Sequence, residues 1–65
     1  MSELEKTIHE YIKVGHHQTL GAIIGRLPHN TGFQIVSAIV NLKALGLVEG
    51  NAQDGYKPVE KEVQA

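Results

Sequence analysis

The stretch TGFQIVSAIVNLKALGLVEG, residues 31–50, carries the clearest structural signals in the sequence. It opens with Thr31 followed three residues later by Gln34, a spacing at which side chains and backbone amides bond reciprocally at a helix N-terminus. Gly46 is a typical residue with which to end a helix. An apolar, extended-looking segment comes directly after it. The stretch therefore predicts a helix over about residues 32–45 that leads into a strand.

This predicted helix carries apolar residues on two sides, at ~100° per residue. One side, expected to face the other helices, holds Ile35, Ala38, Ile39 and Leu42. Nearly the opposite side holds Phe33, Val36, Val40 and Ala44. A narrow polar stripe beside this second group holds Gln34, Ser37 and Asn41. A helix that is apolar on both sides should be covered on both sides, so the second group predicts a contact with another polypeptide.

Two further helices are predicted before this one. The first covers about residues 3–14, starts with a capping box formed by Ser2 and Glu5, and stops at Gly15. The second is TLGAIIGRL, with Thr19 as its cap, and Pro28 ends it. Gly21 and Gly25 each cost this helix roughly 1 kcal/mol relative to alanine, which predicts that another backbone packs closely there. The expected core, with each side chain well buried, is Ile23, Leu27, Ile35, Ile39 and Leu42.

The C-terminal part predicts a hairpin. LVEG and YKPV are short strand candidates, and NAQDG between them contains an Asp-Gly turn pair. Pro58 cannot donate a ladder hydrogen bond, so the second strand is expected at a sheet edge. Residues 60–65 are polar and are expected to form a flexible tail. The whole chain is then one domain over residues 1–59 with that tail.

Composition narrows the function classes. The chain has 65 residues, a net charge of −1 and no cysteine, so a thiolate metal site is excluded and an enclosed substrate cleft is not expected. The N-terminus lacks the apolar segment of a signal peptide, and no apolar run reaches the ~20 residues that span a bilayer. No catalytic or metal-binding motif is recognised. We expect a cytoplasmic, soluble protein that is not an enzyme and needs no cofactor, metal or small-molecule substrate.

The order of elements resembles the winged-helix variant of helix-turn-helix domains. The resemblance rests on TLGAIIGRL, on IVSAIVNLKALGLVEG and on GNAQDGYKPV, and it covers roughly residues 3–59. It implies a mainly α fold with a small β-hairpin (α1-α2-α3-β-β wing), with the third helix in the DNA major groove and the wing on the backbone or minor groove. Positions that commonly hold arginine or lysine in that family are here Ser37, Val40 and Asn41.

Two functions remain open on the residues alone. In the first, the chain is a DNA-binding transcription regulator that acts as a homodimer: Gln34, Ser37 and Asn41 read bases, and Arg26, Lys43 and Lys57, with help from His16, His17 and His29, hold phosphates. In the second, it is an adaptor or inhibitor that docks on a protein through Phe33, Val36, Val40 and Ala44. A third alternative is structural: the first helix packs over part of that apolar group and hides it.

Overall fold

Three helices followed by one antiparallel hairpin make up the protein, as seen in a computed structural model that describes residues 2–59. The elements are α1 (Glu3–Gly15), α2 (Leu20–Arg26), α3 (Gly32–Ala44), β1 (Val48–Asn51) and β2 (Gly55–Pro58). This order confirms the predicted fold class, mainly helical with a small hairpin, and it is consistent with a winged-helix-like arrangement. The predicted tail, residues 60–65, lies outside the described residues.

Each helix begins at a predicted cap. The Ser2 hydroxyl accepts a hydrogen bond from the Glu5 amide at 3.1 Å, and the Glu5 carboxylate accepts one from the Ser2 amide at 2.8 Å. Thr31 and Gln34 form the same reciprocal pair at 3.1 and 3.0 Å. Thr19 caps α2 with its hydroxyl alone. These bonds satisfy amides at the helix starts that have no partner within the helix.

The ends of α1 and α2 differ from the predicted ones, and the end of α3 agrees with the prediction. Gly46 takes a positive φ of 77° after α3, as predicted. After α1 the left-handed residue is His16, with φ 63°, so the helix includes Gly15. The Gln18 side chain lies against Gly15, where a Cβ would collide with it, so the glycine serves a close approach rather than a left-handed turn.

The core lies between the three helices and the hairpin. Its buried members are Ile8, Ile12, Ile23, Ile35, Ala38, Ile39, Leu42, Val48 and Tyr56. Four of the five predicted core residues are confirmed, and Leu27 is wrong because it is only partly buried. The reason is that α2 ends at Arg26, and Leu27, with φ −127° and ψ 63°, has already left the helical path. Its side chain therefore does not continue the buried stripe of α2.

The hairpin is shifted by one residue from the predicted strands. Val48 faces Pro58 and Asn51 faces Gly55 across the ladder. The Asn51 side-chain oxygen accepts a hydrogen bond from the Asp54 amide at 2.6 Å, which closes the turn. Gly55 has a φ of 98°, a conformation that glycine adopts without steric cost.

A contact from before α2 holds the hairpin against the helices. The backbone of Gln18 exchanges two hydrogen bonds with Tyr56, at 2.9 and 2.7 Å. This bridge uses both backbone groups of Tyr56, which faces Gly50 on its other side. Apart from this isolated bridge, β2 is the outer strand of a two-stranded sheet, as Pro58 predicted. The ring of Tyr56 is buried in the core. The bridge and the ring together fix the position of the wing.

The glycines of α2 do not have the predicted role. A Cβ built on Gly21 or Gly25 would meet no other atom within 4 Å, apart from the backbone of its own helix and its chain neighbours. Both residues are exposed, so the expectation of close backbone packing is wrong. Within the domain these two positions only weaken α2.

Of the three helices described, none combines the length and the apolarity required to cross a bilayer.

Replacing Gly21 or Gly25 with alanine should stabilise the domain by roughly 0.5–1 kcal/mol each, because helical propensity rises and nothing is displaced. Urea unfolding followed by circular dichroism measures the change. Gly50→Ala is the opposing control: its φ is 117° and an added Cβ would collide with the Gly55 carbonyl, so this variant should be destabilised. A loss of stability in both α2 variants would contradict the open surroundings described above.

Replacing Ile39 with alanine should cost ~2–5 kcal/mol, because the side chain is almost wholly buried (1% exposed) and the substitution leaves a cavity. A domain of this size has a total stability of ~5 kcal/mol or a little more, so the variant should keep at most about 3 kcal/mol and melt at a much lower temperature. Val40→Ala on the exposed side of the same helix is the matched control and should change stability by ~0.5 kcal/mol or less. Equal melting of the two variants would mean that α3 is rotated from the orientation described.

Candidate interaction surface on helix α3

The side of α3 that faces away from the core is apolar and exposed. Phe33 is 81% exposed, Val40 56% and Val36 39%, and Ala44 is also exposed. We call these four residues the α3 apolar face. Other exposed apolar side chains, at Val14, Ile24 and Leu45, do not share this helix side. Four apolar residues together on one helix side form a candidate contact surface.

Helix α1 does not cover this face. It packs on the opposite side of α3, where Ile8 and Ile12 enter the core beside Ile35 and Ile39. The alternative in which the first helix hides the second apolar group is therefore wrong. Lys43 is the only charged residue within α3, so the exposed side offers hydrophobic area with little charge around it.

Gln34, the first residue of the polar stripe, is engaged in the start of the helix. Its side-chain oxygen accepts hydrogen bonds from the Thr31 amide at 3.0 Å and from the Asn30 side chain at 3.3 Å. The sequence predicts this capping role and a base-reading role for the same side chain. The structure places its oxygen in the cap.

Asn41, the last residue of the stripe, is bonded to α1. Its side-chain nitrogen donates to the Glu5 carboxylate at 2.8 Å. The same carboxylate caps α1 through its other oxygen. The backbone amide of Ser2, and after it the Asn41 side chain, lower the pKa of Glu5 below its ordinary value of 4.5. Glu5 is therefore ionised at neutral pH and sets a negative charge beside the stripe.

The hydrogen bonds of Gln34 and Asn41 affect how these side chains could recognise a DNA base. An asparagine or glutamine reads adenine through its oxygen and its nitrogen together, yet Gln34 already uses the oxygen and Asn41 the nitrogen. Gln34 could read a base in this way only by giving up its bonds in the cap of α3, whereas Asn41 keeps its oxygen and its second N–H beside the bond to Glu5. The Glu5 carboxylate would also be brought towards the phosphates. Ser37 is exposed and stands between these two residues along the stripe.

The predicted phosphate-binding cations lie on three separate elements. The guanidinium of Arg26, at the end of α2, lies 5.3 Å from the centre of the Tyr11 ring, a cation–π distance. Lys43 is exposed in the last turn of α3. Lys57 on β2 faces Glu49 on β1, so the hairpin presents both signs of charge.

Three of the four histidines, His16, His17 and His29, lie in the connections between helices, and His9 lies within α1. His17 bonds its ring Nε2 to the Asp54 carbonyl at 2.7 Å; a carbonyl only accepts, so this nitrogen carries a proton. Beside it a shallow cavity of about 320 Å³ is lined by residues that include Glu49 and Lys57. His16 and His29 are exposed. Across residues 2–59, no group of three or more histidine or acidic side chains is placed to hold a metal ion.

Sequence reasoning missed three contacts, one beside the α3 polar stripe and two at the hairpin: Asn41 to Glu5, His17 to Asp54 and Gln18 to Tyr56. The first two join residues 36 and 37 positions apart. Local periodicity and capping patterns relate residues only within a few positions of each other. No signal in the sequence points to these pairs.

Comparisons of the chain with models of protein families, with curated protein sequences and with solved structures produced no match. The geometry described above is therefore the basis for the functional proposal.

The contact of Asn41 with Glu5 predicts a pH-dependent contribution to stability. A carboxyl group whose pKa is lowered by folding stabilises the folded state above its unfolded-state pKa, near 4.5, and this stabilisation is lost as the pH falls through the folded-state pKa. Asn41→Ala should raise the pKa of Glu5 towards its ordinary value and weaken the acid dependence. NMR titration of the Glu5 carboxyl carbon measures the pKa. Ser37→Ala on the same stripe is the control and should leave it unchanged; an unchanged pKa in Asn41→Ala would contradict the bond.

Proposed function

We propose that this chain is a protein-interaction module of winged-helix type, acting as an adaptor or inhibitor that docks on another polypeptide through the α3 apolar face. One observation carries the proposal: Phe33, the largest side chain of α3, is 81% exposed and shares its helix side with Val36 and Val40. Full burial of such side chains contributes roughly 1.5–3 kcal/mol each. Covering this face would therefore release several kcal/mol.

Docking through this face needs no change within the domain. The core side of α3 stays filled by Ile35, Ile39 and Leu42, which are 0–1% exposed. The caps and the contact between Asn41 and Glu5 also remain as they are. A partner would bind a helix that the core, the caps and the contact between Asn41 and Glu5 already hold in place. This domain would therefore lose little conformational freedom on binding.

DNA recognition, the expectation that the family resemblance implies, has weaker support. Most of the affinity of DNA-binding domains comes from neutralised phosphates, and this chain has a net charge of −1. Arg26 already lies on an aromatic ring, Lys57 faces Glu49, and the Glu5 carboxylate lies beside the polar stripe. DNA-dependent transcription regulation remains the second candidate, favoured only by the helix order. A cytoplasmic setting is part of the same proposal.

A photo-reactive residue placed on the α3 apolar face should form covalent adducts with protein in the cells in which this protein occurs naturally. Benzoylphenylalanine in place of Val36 is expected to give discrete bands after irradiation, because a partner covers this position. The same residue in place of Gln53, in the wing turn, is the position control and should not. Adding Val40→Glu should abolish the bands: Val40 is 56% exposed, so the domain still folds, but a carboxylate would be buried unpaired in the contact.

Two results, taken together, would contradict the proposal of a protein-interaction module. The first is the absence of any adduct from position 36. The second is that the purified domain selects one sequence from a randomised duplex library and loses that preference in Asn41→Ala. Lys57→Ala would then weaken binding to all duplexes about equally and reduce the salt slope by about one contact. That combination would support the DNA-binding function instead.

A further inference from the structure

We infer that the occupant of the α3 apolar face is a second copy of this chain, with the two α3 helices packed antiparallel about a two-fold axis. This inference rests on the proposed function and specifies its partner. It places Phe33 of one copy against Ala44 of the other, and Val36 against Val40. Two copies then bury the same four residues from each side.

The order of side-chain sizes along α3 supports the antiparallel arrangement. In two antiparallel helices related by a two-fold axis, the numbers of facing residues add up to a nearly constant value. This value is 77 for Phe33 with Ala44 and 76 for Val36 with Val40. The largest side chain of the face then meets the smallest, and the two valines meet each other, so each pair fills a similar volume. In a parallel pair Phe33 would meet Phe33 and Ala44 would meet Ala44, which forces the helices apart at one end and leaves a gap at the other. Close packing favours the matched arrangement.

The charges around the face also suit a second copy. Lys43 is the only charged residue in α3, and the whole chain has a net charge of −1, so two copies repel each other weakly. Antiparallel helices further set the positive end of one helix dipole beside the negative end of the other.

The exposed area sets the strength of the dimer. At the observed exposures the four side chains offer on the order of 400 Å² per copy, about half of the ~800 Å² per partner in stable complexes. We therefore expect a dimer of micromolar affinity that forms and separates reversibly. Sedimentation at about 100 μM lies above a dissociation constant of ~10 μM and should show mainly dimer.

A size exchange at the two ends of α3 tests the arrangement. Phe33→Ala should weaken the dimer at least about tenfold, because two small side chains, the new one and Ala44 of the other copy, then face each other across a gap. Ala44→Phe should also weaken it, because two phenylalanines then meet. The double variant F33A/A44F restores one large and one small residue in each pair and should return the dissociation constant to within about threefold of the parent. Both positions are exposed in the single domain, and melting at low concentration checks that each variant folds.

Engineered cysteines test the direction, since the chain has none of its own. Facing Cα atoms of helices 8–10 Å apart lie about 4–6 Å from each other, within disulfide range. Val36→Cys and Val40→Cys proteins, one labelled with ¹⁵N, are mixed and mildly oxidised. An antiparallel pair should give mostly the mixed disulfide between positions 36 and 40, whereas a parallel pair would give the two unmixed products.

The outcomes separate this inference from the proposed function. A parent that is monomeric at about 100 μM overturns the second copy as occupant; cellular adducts from position 36 with the mass of another protein would then still support an interaction module. A parent dimer in which F33A/A44F is no stronger than the single variants, or in which unmixed disulfides dominate, overturns the antiparallel arrangement. Failure of the adducts and of the dimer together would reject both proposals.

Discussion

Burial of one side of α3 sets the orientation of this helix about its own axis, and the other elements pack around it. Ile35, Ile39 and Leu42 are buried almost completely, and turning the helix would expose them to water. Burying such side chains is the main favourable term available to a domain this small. Because the helix has a fixed period, the same orientation places Phe33 and Val40 outside. The candidate interaction surface is thus a geometric consequence of filling the core.

Glu5 connects the start of α1 to the exposed flank of α3. One of its oxygens accepts the Ser2 amide, and the other accepts the side chain of Asn41. A residue that is recognisable locally as a capping carboxylate therefore also restrains a helix 36 positions away. Its charge lies beside the stripe in which base-reading residues are expected. The contact therefore places an acidic group next to the exposed polar side chains of α3.

The wing is held by contacts that originate before α2. Gln18 bonds to Tyr56 through the backbone, and the imidazole of His17 bonds to the carbonyl of Asp54 in the turn. The Tyr56 ring completes the core from the hairpin side. Two short strands alone are only marginally stable in water, so these contacts keep the hairpin on the helices. The backbones of Glu49 and Lys57 are consequently held opposite each other in the ladder.

The order of the elements and the two-sided character of α3 can be read from the sequence alone. The capping pairs Ser2 with Glu5 and Thr31 with Gln34 predict two helix starts, and Gly46 predicts a helix end, because these signals act between neighbours a few residues apart. The packing of the elements was needed to show that Leu27 is only partly buried and that Gly21 and Gly25 face open space. It alone showed that Asn41 bonds to Glu5 and Gln18 to Tyr56. Such contacts depend on how separate elements meet in space, and the periodicity of a single element carries no information about its distant neighbours.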